Sequence, residues 1–378
     1  MNDLFAGVRA EMNAQIEGGL RPTLQIAIDW GGRRVDLVAG EGASAESSYL
    51  LWSSTKPFVA LAALSLVESG VLDLEERVRA YLPEFGRAGK ESATLAHVLT
   101  HRGGFPDAAG TERRALARLA REPDAALAYV CEMPALWEPG TDRGYHPSSG
   151  WYVLGAIIER VERAPLAAVV RERVLDPAGI APDGFSLGEP ERLSQPPVRV
   201  VTNGARGAPA QSEADYWSDP TIQASVIPGG GGISRASEVV KLYRALLDGG
   251  IGPGGRLLSP QMLRRATFPH AVGVRDRTFL LDIPWGLGFH LKHAIPSLDD
   301  CGKLAAPGSF GHAGHFLVNT SFADPSRDLA VCILSNGLAP SREGMAAVSR
   351  LSDKIHEAID SATEDPVRAA WPRDSAGR

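Results

Sequence analysis

Ser53 and Lys56 are the residues of this chain whose types and spacing most directly suggest chemistry. They lie three positions apart in YLLWSSTKPFVAL, residues 49–61, and no other of the six lysines has a serine at that spacing. A serine hydroxyl becomes a nucleophile when a neighbouring amine accepts its proton. The pair therefore indicates covalent catalysis, whereas the structural alternative is a capping serine beside a surface lysine.

Pro57 indicates how the chain positions this pair. Proline has no N–H and is tolerated in the first turn of a helix, so the apolar run at 58–69 predicts a helix that begins near Ser53 and Ser54. Side chains three positions apart then share one face of the helix. The positive end of the helix dipole and burial against the apolar run both favour a neutral Lys56 amine.

Two later stretches offer groups for proton transfer and for binding an oxyanion. Tyr145 lies in the turn of WEPGTDRGYHPSSGW, residues 137–151, where it is either a general base beside the lysine or a buried structural tyrosine. The run GSFGHAGHFLVNTSFADP, residues 308–325, predicts a strand whose glycines let the backbone approach a ligand. A backbone N–H there would form an oxyanion hole with that of Ser53.

Together the three motifs resemble those of the serine β-lactamase and penicillin-binding-protein family, nearest its class C-like branch of esterases and peptidases. The resemblance covers about residues 20–360 and extends to HVLTHRGGFPD, PGGGGISRASEVVKLYRALLDGG and ADPSRDLAVCILSN. It implies that Ser53 is the acylated nucleophile and that Lys56 is its proton partner. It also implies that Tyr145 begins the Tyr-x-Asn motif, serves as general base and then activates the deacylating water or alcohol.

The second and third motifs depart from the family pattern. His312, Ala313 and Gly314 stand where the family has Lys-Thr-Gly, and the resemblance implies that the N–H of His315 joins the oxyanion hole. Pro147 replaces the expected Asn, and His312 provides no permanent cation for a carboxylate. Both changes argue against a β-lactamase or cell-wall peptidase and favour the family's esterases and acyltransferases.

Four aromatic residues are candidates for an apolar acyl or alcohol pocket, although each is equally consistent with plain core. They are Tyr216, Trp217, Trp285 and Phe316. Trp217 is favoured because the stretch 185–225 is rich in Pro, Ser and Gly, which predicts loops that would not otherwise need a tryptophan.

We expect neither a metal nor an organic cofactor. His97 and His101 are four residues apart, but there is no His-Glu-x-x-His pattern and no evident third ligand, so a structural His101 is the better interpretation. The four glycines at 229–232 lack the Lys-Ser/Thr that follows a phosphate loop and predict a tight passage lining the cleft. Nor do we expect a standard α/β-hydrolase, whose nucleophile lies in a Gly-x-Ser-x-Gly elbow.

The composition argues against several classes of partner. The 378 residues carry a formal net charge of -6, so no basic field would attract nucleic acid or an anionic membrane. The N-terminal segment lacks a secretory pattern, and no window reaches the 18 apolar residues of a membrane span. Cys131, Cys301 and Cys332 fit reduced thiols. We therefore expect a cytoplasmic protein whose partner is a small ester or acyl substrate.

Strand patterns at both ends of the chain enclose a helical middle. We expect an α/β (α+β) fold in which an antiparallel sheet is flanked by helices and carries an inserted, mostly helical domain. The predicted units are residues 1–75 with 235–363 for the sheet domain, 76–234 for the insertion and 364–378 for a flexible tail.

Three local patterns predict a hairpin, the ends of one helix and a closing helix. Gly31 and Gly32 interrupt alternating apolar residues and predict a hairpin. Ser234 is the predicted N-cap of a helix that Gly249 ends, and residues 340–361 predict a closing helix.

These features predict a serine hydrolase that acts through a Ser53 acyl-enzyme on a small carboxylic ester or cyclic amide. The first alternative is an acyltransferase of small-molecule metabolism that passes the same acyl group to an alcohol or amine. A β-lactamase, a D-peptidase or a non-catalytic binding protein of the same fold is less consistent with the motifs.

Overall fold

Among the described residues, every strand longer than three residues lies in one central sheet. The computed structural model describes residues 4–107, 110–202, 208–292, 301–338 and 342–364. Its strands are β1 Leu24–Trp30, β2 Arg33–Ala39, β3 Tyr49–Leu50, β4 Phe185–Leu187, β5 Val201–Thr202, β6 Gly232–Ser234, β7 Ile251–Gly252, β8 Gly255–Arg256, β9 His290–Leu291, β10 Phe310–Ala313, β11 Thr320–Asp324, β12 Leu329–Leu334 and β13 Gly337–Leu338.

Six of these strands form one antiparallel sheet from the two ends of the chain. Its order is β2-β1-β12-β11-β10-β9, and each neighbouring pair is antiparallel. Gly31 and Gly32 turn β1 into β2 with φ angles of 59° and 77°, a left-handed conformation that glycine adopts without strain. The predicted hairpin and the predicted antiparallel sheet are confirmed.

Helices cover both faces of this sheet. Ile26 and Ile28 of β1 pack in one apolar cluster, and Ala27 packs in another, because successive strand residues point to opposite faces. The helices are α1 Ala6–Glu17, α2 Lys56–Glu68, α3 Val78–Tyr81, α4 Leu95–Leu99, α5 Gly110–Arg118, α6 Pro123–Glu132, α7 Ser149–Glu162, α8 Leu166–Val170, α9 Asp176–Ala178, α10 Ala208–Ser218, α11 Pro220–Gln223, α12 Ala236–Leu247, α13 Pro260–Ala266 and α14 Arg342–Glu364.

Helix α2 begins where the proline rule predicts. Ser53 lies in the 3-10 turn Trp52–Thr55, which leads directly into α2, and Pro57 occupies the first turn of that helix. Trp52 has a φ of 46°, so the chain enters the helix through a sharp turn. Lys56 and nearly all the residues that follow are buried, which confirms that this helix is surrounded by core.

The helical middle of the chain packs on α2 without a break in the apolar core. Phe58 and Leu61 of α2 lie in the same cluster as Leu154 and Ile158 of α7. The division into a sheet domain and a helical insertion stays a prediction. The predicted tail falls outside the described residues from 365 onward, and Glu364 is the last residue of α14.

Two local predictions were wrong. The stretch 185–225 is not mainly loop, because α10 and α11 lie within it. Ser234 does not cap α12: it lies in β6, its hydroxyl donates to the carbonyl of Gly184 at 2.6 Å, and Arg235 is the N-cap.

The described helices and thiols bear on two further expectations. None of these helices is both long enough and apolar enough to cross a membrane. Cys131, Cys301 and Cys332 are all buried, and none of the three forms a disulfide. Burial raises the pKa of the Cys131 and Cys332 thiols, which disfavours the reactive thiolate. The cytoplasmic location stays a prediction.

Asn319 ties the turn that carries Ser53 to the turn between β10 and β11. Its side-chain amide is fully buried and donates to the carbonyl of Leu50 at 2.9 Å. Its Oδ1 lies 3.2 Å from the hydroxyl of Ser54, which in turn lies 2.8 Å from the carbonyl of His312. The N–H of Gly314 donates to the Asn319 carbonyl at 2.9 Å. One amide therefore fixes two segments that are distant in sequence.

We predict that Asn319→Ala lowers the free energy of unfolding by about 2 kcal/mol, because it takes the amide donor from the buried carbonyl of Leu50 and removes one acceptor of the Ser54 hydroxyl. Urea unfolding followed by circular dichroism measures this loss. Asn13→Ala, on an exposed position of α1, is the matched control and should change stability by less than about 0.5 kcal/mol. Equal stability of the two variants would contradict the assigned role of Asn319.

Candidate active site

Ser53, Lys56 and Tyr145 meet at the start of α2, as the sequence motifs predict. The hydroxyl oxygen of Ser53 lies 2.9 Å from Lys56 Nζ and 2.8 Å from the hydroxyl of Tyr145. Lys56 reaches Ser53 because both lie on one turn of helix, whereas Tyr145 comes from the turn that precedes α7. A hydroxyl flanked by an amine and a phenol can pass its proton to either group.

The remaining partners of Lys56 are backbone carbonyls. Lys56 Nζ donates to the carbonyl of Pro147 at 2.9 Å and to that of Gly229 at 2.7 Å. A Cβ at Gly229 would stand 2.6 Å from the Pro147 oxygen and 3.0 Å from the ring of Trp151, so only glycine fits there. The predicted tight passage at 229–232 thus lies against Lys56 and supplies one of its acceptors.

These neighbours change the protonation of Lys56. The side chain is fully buried, and its Nζ lies 5.2 Å from the ring centre of Tyr145 and 5.3 Å from that of Trp151. Burial lowers the pKa of the Lys56 amine to about 7, and the negative charge of Asp107 opposes this shift. Near neutral pH the amine is therefore able both to accept and to return a proton.

Tyr145 is held by a carboxylate that the sequence analysis did not single out. Asp276 is buried and accepts from the backbone N–H of Tyr145 at 3.3 Å and from the indole of Trp285 at 3.3 Å. The ring of Trp285 stacks on Tyr145 with centroids 5.3 Å apart and planes 10° apart, and Phe279 lies 5.2 Å from the same ring. Asp276 is 131 residues from Tyr145 in sequence, so no local pattern indicates the contact.

The phenol of Tyr145 holds its proton more firmly than a free tyrosine does. Burial raises its pKa well above the usual range, the hydrogen bond to Ser53 opposes the rise, and Asp107 and Asp276 add to it. Burial acts on Lys56 in the opposite direction. In the resting site the amine is consequently the better proton acceptor, and the phenol keeps its proton.

The segment from His312 to His315 runs beside the Ser53 turn. His312 is buried on β10, its carbonyl lies 2.8 Å from the hydroxyl of Ser54, and its ring lies 5.8 Å from that of Trp285. A Cβ at Gly314 would stand 1.9 Å from Asn319 Oδ1, so the chain requires glycine before His315. The ring of His315 lies 6.3 Å from that of Trp52.

Glu213 anchors His315 from α10. His315 Nε2 lies 2.7 Å from Glu213 Oε1, and Arg113 of α5 lies 3.1 Å from the same oxygen. Arg113, Glu213 and His315 thereby connect two helices of the middle segment to the end of β10. Glu213 was not predictable as a partner of His315, because the composition of the stretch 185–225 is typical of loops.

The family and the relatives of the chain agree with this geometry. A sequence model of the family described as Beta-lactamase matches residues 9–353. The chain belongs to the beta-lactamase family. It is similar to Esterase EstB of Burkholderia gladioli, with 30% identity over 351 residues that cover 85% of either chain.

Solved structures of the beta-lactamase family share the fold. A penicillin-binding protein homolog from Caulobacter crescentus has a TM-score of 0.76 at 25% identity and covers 94% of this chain and 98% of its own. A family VIII carboxylesterase has a TM-score of 0.76 at 23% identity, with 93% and 97% covered. The predicted family and fold are confirmed, and the chain is a serine hydrolase of the β-lactamase fold.

The departures from the family motifs have distinct structural settings. Pro147 stands where the family has Asn, and its backbone carbonyl accepts a hydrogen bond from Lys56. The His312 imidazole lies among rings, 6.2 Å from Tyr145 and 6.4 Å from His290, with Nδ1 2.8 Å from the carbonyl of Ala313. An aromatic environment of this kind differs from an exposed cationic anchor.

The predicted aromatic pocket residues do not form one group. Trp217 lies on helix α10, not in a loop, and packs edge-on against Trp52 at 6.4 Å. Tyr216 donates its hydroxyl to the carbonyl of Ala117 at 3.0 Å, and Trp285 is buried beneath Tyr145. The side chain of Phe316 lies outside the described part of the chain. A pocket role for these residues stays a prediction.

A cavity of about 430 Å³ lies beside Thr278, and its lining includes none of Ser53, Lys56 and Tyr145. Thr278 lines it and donates its hydroxyl to the carbonyl of Tyr145 at 3.3 Å. The lining is largely apolar and consists of Phe105, Pro106, Glu112, Met133, Pro134, Leu136, Arg277 and Thr278.

The histidine pair at 97 and 101 has structural partners. His97 closes the first turn of α4, since its backbone N–H donates to Thr94 Oγ1 at 3.2 Å and its Nδ1 accepts from the Thr94 N–H. His101 is buried, and its Nδ1 accepts from the N–H of His146 at 3.1 Å. Over the described ranges, no group of three or more His, Cys, Asp or Glu residues could hold a metal ion.

One Gly-x-Ser-x-Gly spacing does occur, at residues 184–188, although we expected no α/β-hydrolase elbow. Its serine, Ser186, is buried within β4 and pairs with Ile233, and its hydroxyl accepts from the N–H of Glu189 at 3.0 Å. A nucleophile elbow needs an exposed hydroxyl on a turn between a strand and a helix. Ser186 is therefore structural.

We predict that phosphonylation of Ser53 by a small fluorophosphonate accelerates with pH around a midpoint near 7. Below the midpoint the amine carries a proton, and above it the neutral amine accepts the serine proton as the Ser53 Oγ–P bond forms and fluoride leaves. Intact-protein mass spectrometry gives the rate of labelling at each pH.

Ser53→Ala is the control for this labelling and should acquire no adduct. A rate independent of pH, or a midpoint near the value of about 10.4 expected for an exposed lysine, would contradict the assigned state of Lys56.

Proposed function

We propose that the protein is an esterase that hydrolyses a small carboxylic ester, or a cyclic amide, through an acyl-enzyme on Ser53. The observation that carries this proposal is the double contact of the Ser53 hydroxyl, at 2.9 Å from Lys56 Nζ and 2.8 Å from the Tyr145 hydroxyl. Nucleophile, proton acceptor and proton donor are thus in place before substrate binds.

In the first half of the proposed reaction, neutral Lys56 accepts the proton of Ser53 as Oγ attacks the substrate carbonyl. The N–H groups of Ser53 and His315 bind the oxygen that becomes negative. When the ester bond breaks, Tyr145 donates its proton to the departing alkoxide and regains one from protonated Lys56. The products are a free alcohol and an acyl group on Ser53.

In the second half, water replaces the alcohol. Lys56, acting through Tyr145, accepts a proton as the water oxygen attacks the acyl carbonyl, and the bond between the acyl carbon and Ser53 Oγ breaks. The proton returns to Ser53 Oγ, and the carboxylic acid leaves. No metal or organic cofactor takes part in this scheme.

Two features favour an ester over a β-lactam or a D-peptide. Residue 147 presents no side-chain amide to a substrate, because it is proline and its carbonyl is bonded to Lys56. His312 offers an imidazole among aromatic rings where the family has a lysine. A substrate without a carboxylate needs neither group.

The surroundings favour an apolar substituent on the substrate. Trp285 and Phe279 lie against the ring of Tyr145, and Phe279 is exposed. Apolar surface of this kind gains free energy when a hydrocarbon group displaces water from it. We infer that the partner is a small-molecule ester with an apolar acyl or alcohol group.

We predict that Ser53→Ala abolishes hydrolysis of p-nitrophenyl esters and that Lys56→Ala and Tyr145→Phe each lower kcat/KM on the order of 100-fold or more, the usual scale for acid–base groups. Release of nitrophenolate from a series of acyl chain lengths measures the effect. Mass spectrometry during turnover should find the acyl group on the wild-type chain alone.

Matched substitutions away from the active site are the controls for these three variants. Ser69→Ala, Lys303→Ala and Tyr81→Phe should retain wild-type activity. A loss below tenfold for Lys56→Ala or Tyr145→Phe would remove that residue from the proposed mechanism. Transfer to an added alcohol, detected as a new ester product in excess of the free acid, would replace water as the acceptor.

We also predict that the protein hydrolyses penicillins and cephalosporins more slowly than it hydrolyses the esters, since Pro147 and His312 do not provide the amide and the cation of the family pattern. A chromogenic cephalosporin assayed beside the esters measures the difference. Comparable kcat/KM values for both substrates would show that the two positions do not decide the substrate class.

A further inference from the structure

Asp107 is a buried carboxylate next to the active site that the proposed mechanism does not use. It is 1% exposed and lies at the N-terminus of α7. It accepts from the N–H of Ser148 at 3.1 Å, from the N–H of Ser149 at 3.0 Å and from the hydroxyl of Ser149 at 2.8 Å. Burial raises the pKa of the Asp107 carboxyl group, whereas the three donors, the charge of Lys56 and the positive end of the helix oppose this rise and favour the ionised form.

A single peptide unit connects this carboxylate to Lys56. The peptide bond between Pro147 and Ser148 presents its N–H to Asp107 at 3.1 Å and its carbonyl to Lys56 Nζ at 2.9 Å. A hydrogen bond at one end of a peptide group polarises the other end and strengthens the bond made there. Asp107 thereby acts on Lys56 in two ways, through the orientation of the Pro147 carbonyl and through its own negative charge.

The other titratable groups around Lys56 carry no compensating negative charge. His101 and His146 are buried, and burial lowers the pKa of His101 well below its usual value and that of His146 to about 3, so both are neutral. Tyr145 retains its proton, as argued above. Asp276 accepts from the backbone N–H of Tyr145 at 3.3 Å, and Arg143 donates to Asp282 at 2.8 Å. Asp107 is the carboxylate that acts on Lys56 in this set.

We propose that Asp107 is a positioning residue for the reaction of Ser53, which orients the Pro147 carbonyl and keeps Lys56 basic enough to take the serine proton. The inference rests on the proposed function. A fully buried amine without a counter-charge accepts a proton poorly, because desolvation disfavours its charged form. Asp107 offsets that effect without touching the substrate.

The test is the pH profile of Asp107→Asn, which keeps the shape of the side chain and removes its charge. The acid limb of kcat/KM for a p-nitrophenyl ester, and the midpoint of fluorophosphonate labelling, should move to lower pH by roughly 0.5 to 1 unit. The rate on the plateau should fall about tenfold, since a less basic amine is a weaker proton acceptor. KM should stay within about twofold, because Asp107 does not contact substrate.

Two further variants separate charge from structure. Asp124→Asn, at an exposed position of α6, removes the same net charge and should leave the profile unchanged. Ser149→Ala removes one hydrogen bond to Asp107 but keeps the carboxylate, so its acid limb should stay close to that of the wild type. A merely structural role for Asp107 would lower the rate in both site variants without moving the limb of either.

An acid limb of Asp107→Asn at the wild-type position would overturn the inference, whatever the plateau rate. Asp107→Ser, which leaves room for water at the two N–H groups, gives the same test should the first variant fail to fold. Loss of the folded circular dichroism spectrum in both variants would make Asp107 structural and also overturn the inference. A wild-type protein that neither hydrolyses esters nor takes up the fluorophosphonate would refute the proposed function itself, a result distinct from an unshifted limb.

Discussion

The burial of a lysine amine among neutral oxygen atoms is the constraint on which the rest of the structure depends. Lys56 has no exposed surface, and its acceptors are the Ser53 hydroxyl and the carbonyls of Pro147 and Gly229. Carbonyl groups hold an amine only where the main chain is rigid. The apolar core must therefore hold three segments together: the first turn of α2, the turn before α7 and the glycine run at 229–232. Packing of the core is thereby coupled to the protonation of Lys56.

Desolvation shifts the pKa values of Lys56 and Tyr145 in opposite directions, and both shifts favour the neutral form. It favours neutral Lys56 and neutral Tyr145, so the resting site holds little net charge of its own. Charges then separate only while bonds are changing. In the proposed reaction, the low dielectric around buried Lys56 and Tyr145 strengthens the action of the backbone N–H groups of Ser53 and His315 on a developing negative charge.

The parts of the site that were predictable are those expressed as side-chain types at short spacing. Ser53 and Lys56 share one helical turn, and Pro57 marks its start. Tyr145 lies 92 residues away from Ser53, and only the resemblance to a family connects the two. The carbonyls of Pro147 and Gly229 were not predictable as ligands, because every residue type carries the same carbonyl. Asp276 and Glu213 act across long sequence separations, and α10 was missed because its composition is typical of loops.

The contact between Lys56 and residue 147 has a consequence for how the enzyme can change. The lysine binds the main chain at that position, so proline, asparagine or another residue would offer it the same oxygen. The contact with Lys56 thus places no demand on the side chain there, although residue 147 follows Tyr145 by only two positions in the chain. Substitutions at residue 147 can therefore change substrate selectivity while the hydrogen bond from Lys56 to the backbone is kept. This makes the position a suitable target for a saturation library.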